Sequence, residues 1–551
     1  MTPTPYAHPA GEAGEPRPPL TRSWWPAEVT SPLADLTVGA ALRAAAQDSP
    51  GSVALVEGVP DAAQRRRWTF AQLLEQAEAV ARGLLARFRP GERVAVWADN
   101  LPEWVLLEYG AALAGVTIVT VNPALRAEEL RHVLRQSRAA GVFLVPGYRG
   151  SDLAGILAKV RPDLPGLREV VSFADWERFL SAGRPDTPLP RVDPGSAAQV
   201  QYTSGTTGTP KGAVLHHRGI VNNARLYAER CRLTPGGVQV SPMPLFHTAG
   251  CVVSVLGALA VRGTLVLPSA FDPALMLHLV ESERADTLIG VPTMLIGMLD
   301  HPEFARTDVS GLTRVISGGA VVPPELVRRI ETRTPAVVSV LFAQTEASPV
   351  ITATSSEDGG QDRMETLGRP LPHTEVRIVD PSDGTTLPVD TVGELCTRGY
   401  HVMTGYFDDA VATMSAIDAD GWLHTGDLAS MDERGYCRIE GRLKEMIIRG
   451  GENIYPREIE NVIFQHPDVA DVAVVGVPDD TWGEQVAAFV RPAPGRTPDV
   501  EGLREYCLAR LARHKVPKQW SVVEALPLTA SGKVQKFRLR ERLTGERTHR
   551  S

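Results

Sequence analysis

The stretch "YTSGTTGTPKG", residues 202–212, concentrates groups that can hold an anion. Gly205, Gly208 and Gly212 let backbone N–H groups turn toward a ligand. Thr203, Ser204, Thr206, Thr207 and Thr209 supply hydroxyls, and Lys211 adds a positive charge next to Pro210. The common nucleotide loop requires G-x-x-x-x-G-K-[ST]. Here Lys211 follows Pro210 and precedes Gly212, so that loop is excluded. What the composition supports is a flexible loop wrapping a polyphosphate tail.

A strand must deliver this loop, and "AAQVQ" runs straight into it. Upstream, "RVAVWA", "VTIVTV" and "GVFLV" read as strands separated by the helices "LPEWVLLEYGAALAG" and "AEELRHVLRQSRAA". Asn100 is a candidate cap for the first helix and Pro102 lies in its opening turn. Continuous β-branched runs alternating with amphipathic helices predict a parallel sheet covered by helices. The pattern returns at "RADTLIGVPTM" and "LTRVISGGAVVPPELVRRI". After about residue 370 it gives way to short apolar runs broken by turn signals, as in "HTEVRIVDPSDGTTLPVDTVGELCTRG", which predicts antiparallel β structure. A small α+β unit then begins: "PREIENVIFQHP" and "VEGLREYCLARLARH" read as helices, "VADVAVVGV" and "EQVAAFVRP" as strands. The expected fold class is α/β. A large N-terminal domain of helix-covered sheets with a small β subdomain (26–441) is joined by a hinge (442–446) to a small mobile α+β C-terminal domain (447–551). Residues 1–25 read as a disordered tail.

Length and composition agree with this division. At 551 residues the chain exceeds the ~250–300 at which a single core stops growing. A formal net charge of -8 speaks against a nucleic-acid surface. Cys231, Cys251, Cys396, Cys437 and Cys507 lack metal-ligand spacing and suit reduced, buried thiols in a cytoplasmic protein. The apolar run "CVVSVLGALAV" at 251–261 is about half the ~20 residues a membrane helix needs, so a core helix is expected there and no membrane span.

The loop is the first of seven ordered motifs through which the chain resembles the adenylate-forming enzymes: acyl-CoA synthetases, amino-acid-activating domains of peptide synthetases, and luciferases. The others are "PLFHTAG" (244–250), "SGGA" (317–320), "FAQTE" (342–346), "GWLHTGD" (421–427), "GRLKEMIIRGGENIYPREIE" (441–460) and "PLTASGKVQK" (527–536). The resemblance covers roughly residues 40–540, and "RGGENIYP" with "LTASGKVQKFRLRE" is most similar to the medium-chain fatty acyl-CoA synthetase branch.

The resemblance implies a two-step reaction. A carboxylate attacks the α-phosphorus of ATP, pyrophosphate leaves, and coenzyme A takes the acyl group from the adenylate. Catalysis then consists of positioning and of stabilising charge on the α-phosphate. By resemblance Lys533 bridges carboxylate and α-phosphate, and Glu346 binds Mg2+. Phe342, Gln344 and Thr345, with Gly318, Gly319 and Ala320, border adenine. Asp427 takes the ribose hydroxyls, and Arg442 contacts ribose or phosphate. Lys444 marks the hinge, Gly450 and Gly451 wall the pantetheine channel, and His247 gates the acyl pocket. Phe342 and Ala343 stand where the family usually has tyrosine and glycine, and Glu445 where aspartate is common. The "PLFHTAG" segment offers no aspartate for an α-ammonium group, which argues against an amino-acid substrate. The implied partners are a small carboxylic acid, ATP and CoA, with a homodimer as one option for assembly. The alternative is activation of an aromatic or unusual acid in a specialised pathway, or transfer to a carrier protein or amine.

Overall fold

The computed structural model describes residues 18–29, 32–203, 210–450, 452–479, 481–527 and 534–548. Ser204, Gly205, Thr206, Thr207, Gly208, Thr209, Gly451 and Lys533 lie outside the described residues.

Two large sheets build the N-terminal lobe. The first has the spatial order Gly405–Tyr406, Lys211–His216, Ala197–Thr203, Thr117–Val121, Arg93–Trp97, Gly141–Leu144, Glu169–Ser172. From Ala197–Thr203 onward its pairs are parallel, while Lys211–His216 runs antiparallel to both its neighbours. The second sheet has nine strands and is parallel from Val337–Ala343 through Arg314–Gly318, Thr287–Ile289, Val238–Val240 and Thr264–Leu267 to Val53–Glu57. Parallel strands are covered on both faces, which is why "VAVW" and the "LVL" of Thr264–Leu267 are apolar throughout and buried throughout.

Helices Phe70–Leu85 and Pro102–Ala114 pack into the main core with residues of both sheets. The first opens on a reciprocal Thr69–Gln72 capping box. The second buries nearly every side chain, including Trp104, Leu107 and Tyr109. At about 1.5–3 kcal/mol per large apolar side chain, such burial outweighs local propensity.

An antiparallel sheet follows, ordered Trp24–Trp25, Thr374–Val379, Gly393–Gly399, Leu423–Met431, Cys437–Arg442. From Arg442 the chain passes through the turn Leu443–Glu445 into Ile447–Arg449, the first strand of a separate small sheet. There the hairpin Val469–Asp479 and Gly483–Pro492, flanked by helices Pro456–Phe464 and Val500–Leu508, encloses its own core around Ile447, Ile459, Val474 and Val486.

Three local expectations are corrected. Trp24–Trp25 is not tail: it pairs with Thr374–Val379, and Trp25 is buried. Asn100 does not cap the helix at Pro102, whose N-cap is Leu101 without a side-chain bond. Its amide instead donates to Met243 O (3.1 Å) and Pro268 O (3.3 Å), and its Oδ1 accepts from Leu245 N (2.9 Å). The core helix around 251–261 is buried but begins as the π-helix Ala249–Leu256, continued by α-helix Gly257–Ala260. All five cysteines are free and buried, and among the described residues no helix is long and apolar enough to cross a membrane.

Candidate active site

Thr203 and Lys211 are register partners, so residues 204–210 connect two antiparallel strands, and Lys211 opens the return strand with Pro210 just before it. Lys211 Nζ lies 5.2 Å from the centre of the Tyr406 ring. The same tyrosine donates its hydroxyl to Glu346 Oε1 at 2.7 Å. Glu346 sits in the short turn Thr345–Ala347 that ends strand Val337–Ala343, and its carbonyl accepts from Met403 N at 2.8 Å. Burial, then the Glu346 charge, push the Tyr406 phenol well above its ordinary range, so it remains a donor.

The second group grows from the antiparallel sheet. Gln344 Nε2 donates to Thr425 O at 3.2 Å, which ties the turn after strand Val337–Ala343 to the antiparallel sheet. Asp427 is buried opposite Arg442, whose Nε lies 3.0 Å from Asp427 Oδ1. Lys444 follows in the junction turn. Burial, then the positive charges of Arg442 and Lys211, lower its pKa, against the pull of Asp427 and Glu445. Lys211 from the large sheet and Arg442 with Lys444 from the junction therefore act on one place, edged by the carboxylates Glu346 and Asp427. Mutually repelling cations beside two carboxylates suit a polyanion that carries hydroxyls.

The remaining predicted residues border this centre or stand off it. Gly318 is the parallel partner of Leu341, which places "SGGA" beside half-buried Phe342. Gly319 has φ of 73°, a conformation that favours glycine, and it and Ala320 are exposed. His247 is half-buried. Its Nδ1 accepts from Ala249 N at 3.1 Å and its carbonyl from Cys251 N at 3.1 Å, so it organises the start of the π-helix. Gln201 of the loop-bearing strand donates to Cys251 Sγ at 3.1 Å, linking that helix to the strand. Gly450 lies in the small lobe against Trp482: a Cβ there would meet the indole Cε3 at 2.7 Å, a steric need independent of any channel.

Tyr406, Thr425, Glu394 and His424 escaped the residue-by-residue reading. The "GY" after a turn at 405–406 was the available signal for Tyr406, but only the pairing of Ala213 with Tyr406 brings it to Lys211.

A large lobe of two sheets, a small lobe and this cluster define a nucleotide-dependent activating enzyme. The profile of the AMP-binding enzyme family matches residues 42–407, and that of the AMP-binding enzyme C-terminal domain residues 458–533. The chain belongs to the AMP-binding enzyme family. It is 42% identical over 535 residues to the putative acyl-CoA synthetase YngI of Bacillus subtilis (strain 168), covering 92% of this chain and 97% of the relative. It is 38% identical over 544 residues to the mitochondrial medium-chain acyl-CoA ligase ACSF2 of Homo sapiens, covering 92% and 87%. Among solved structures, ATP-bound MatB from Rhodopseudomonas palustris superposes with a TM-score of 0.82 at 29% identity, covering 92% of this chain and 99% of that one.

Proposed function

We propose that the protein is an AMP-forming acid:CoA ligase that converts a carboxylic acid and ATP into an acyl-adenylate and pyrophosphate, then transfers the acyl group to the thiol of CoA. The observation that carries this reading is the convergence of Lys211, Arg442 and Lys444 on a site edged by Glu346 and Asp427. Lys211 neutralises phosphate, and Asp427 offers two oxygens to a ribose diol. Phe342 and the "SGGA" edge border the adenine, next to Gln344, which is held by Thr425 O.

Glu346 is a buried carboxylate oriented by Tyr406, a hard oxygen donor that suits Mg2+. A bound magnesium ion supplies charge neutralisation at the phosphates, and Glu346 is the residue proposed to hold it. Lys533 is the proposed cation for the forming carboxyl phosphate bond, Lys444 the hinge, and Gly450 with Gly451 the path for the thiol arm. A medium-chain fatty or similarly apolar acid is the proposed substrate. The names of YngI and ACSF2 support it, as does the apolar segment Ala249–Leu256 that follows His247. Five unpaired thiols support a cytoplasmic setting.

An acid panel assayed by mass spectrometry of CoA thioesters, beside acid-dependent pyrophosphate exchange, tests this. Thioester should form with medium-chain acids. Exchange without any thioester would transfer the acyl group to another acceptor. Lys533→Ala should abolish exchange yet keep thioester formation from supplied acyl-adenylate, and equal loss of both would refute the two-step division of labour.

A further inference from the structure

In the antiparallel sheet Cys396 pairs with His424, three residues before Asp427. His424 Nδ1 lies 2.8 Å from Glu394 Oε2 and 3.4 Å from Cys396 Sγ, and its Nε2 lies 3.6 Å from Asp418 Oδ2. The other oxygen of Glu394 accepts from Gly426 N at 3.0 Å. Thr425 closes the same turn from its other side. Its Oγ1 donates to Leu395 O at 2.6 Å and accepts from Asp427 N at 3.1 Å. The backbone on both sides of Gly426 is thus fastened to Glu394–Leu395, and Gly426 itself has φ of 69°.

Ligand atoms of Glu394, Cys396 and His424 lie within 4.8 Å of one another, a spacing a soft metal ion could use. Hydrogen bonds to Cys396 and Glu394 raise the His424 pKa to about 10, so near neutrality both ring nitrogens carry protons. A metal at Nδ1 would have to displace one of them. The charged groups facing the ring are Glu394 and Asp418, and Asp418 Oδ2 lies 3.4 Å from Arg377 Nη2. Cys396 is the neighbouring thiol, and burial raises its pKa.

We propose that Glu394 and His424 are positioning residues for nucleotide selection: the Glu394 carboxylate, held by the His424 ring, forms a brace that fixes the Gly426 turn, so that Asp427 presents its carboxylate to a ribose diol. This rests on the assignment of Asp427 to ribose. Glu394 is the central piece, because one oxygen holds the turn while the other holds the cation that orients it.

The experiment is the ratio of kcat/KM for ATP to that for 2′,3′-dideoxy-ATP in acid-dependent pyrophosphate exchange. The wild-type enzyme should prefer ATP, and Asp427→Asn should lose that preference. Glu394→Gln and His424→Gln should lower the ratio about tenfold, through KM for ATP with kcat nearly kept, as expected when one charge-assisted bond is removed. His424→Arg, which restores a cation beside Glu394, should recover most of the preference. A merely structural role would lower activity with both nucleotides equally and leave the ratio unchanged. If Asp427→Asn loses discrimination while Glu394→Gln and His424→Gln keep it, the brace is refuted and the ribose assignment stands. If Asp427→Asn keeps it, the assignment falls and the brace with it. Should Glu394→Gln fail to fold, the contrast between His424→Gln and His424→Arg decides.

Discussion

Tyr406→Phe isolates the link between the phosphate loop and the carboxylate proposed for magnesium. The substitution deletes one hydroxyl, which donates to Glu346 Oε1 at 2.7 Å, and retains the ring that faces Lys211 Nζ at 5.2 Å. A hydrogen bond to a charged group is worth about 1.5–3 kcal/mol, and every 1.36 kcal/mol is tenfold. Tyr406 is only partly buried, so the lower end applies, and the Mg2+ concentration for half-maximal activity should rise about tenfold. Tyr406→Leu also removes the ring. An exposed cation–π contact adds about 0.5–1 kcal/mol, a further two- to fivefold felt in KM for ATP. Backbone pairing of Tyr406 with Ala213 does not depend on the side chain, so both variants should keep the fold. Acid-dependent pyrophosphate exchange titrated with Mg2+ at fixed ATP reads both effects. A magnesium requirement within about twofold of wild type in Tyr406→Phe would show that the hydroxyl does not orient Glu346, and the reasoning would fail.

Two further predictions concern stability. Burial holds His217 and His401 neutral, at about 4 and about 3, against an ordinary value near 6.5. Between those values the unfolded chain binds protons that the fold refuses. Stability should therefore fall as pH drops from about 6.5 toward 3, by up to about 1.4 kcal/mol per unit for each histidine. His401→Gln should flatten the melting temperature against pH in that window, and an unchanged slope would contradict it. Lys536 Nζ lies 3.0 Å from Glu445 and 2.7 Å from Glu460, with only a fifth of its side chain exposed. Lys536→Met strands both carboxylates and should cost about 3 kcal/mol in urea unfolding. A loss under about 1 kcal/mol would show the pair to be solvent-screened.

What was legible in the sequence was local. Continuous β-branched runs disclosed the parallel sheets, because that signal resides in neighbouring residues, while the stretch read as a loop at 202–212 begins and ends in strands and residues 204–209 lie outside the described residues. What was lost is non-local. Asn100 stands where a cap belongs, yet carbonyls of Met243 and Pro268, distant in sequence, claim its amide. The proline-rich start pointed to a tail extending to residue 25. Trp25, however, packs against Gly435, where an added Cβ would meet its ring at 2.1 Å, and no local pattern announces that partner. The π-helix at Ala249–Leu256 has the composition of an α-helix, and no local pattern distinguishes its wider turn. Tyr406 and Glu394 act through strand pairing, which joins segments that the sequence separates.

The cations show why strand pairing also bears on the proposed hinge. Lys211 begins an inner strand of one sheet, Arg442 ends a strand of another, and Lys444 lies in the turn between lobes, yet after burial the first two depress the Lys444 pKa. Without a ligand this repulsion opposes holding the junction where it is. A bound polyphosphate converts it into attraction, so nucleotide binding and junction geometry are linked by one electrostatic term. Once pyrophosphate has left, the adenylate carries far less negative charge. The attraction that held Lys444 toward the phosphate site then weakens, and the balance moves toward a junction turned away from it. The charge lost in the first half-reaction would thus supply a physical cause for movement at the proposed hinge.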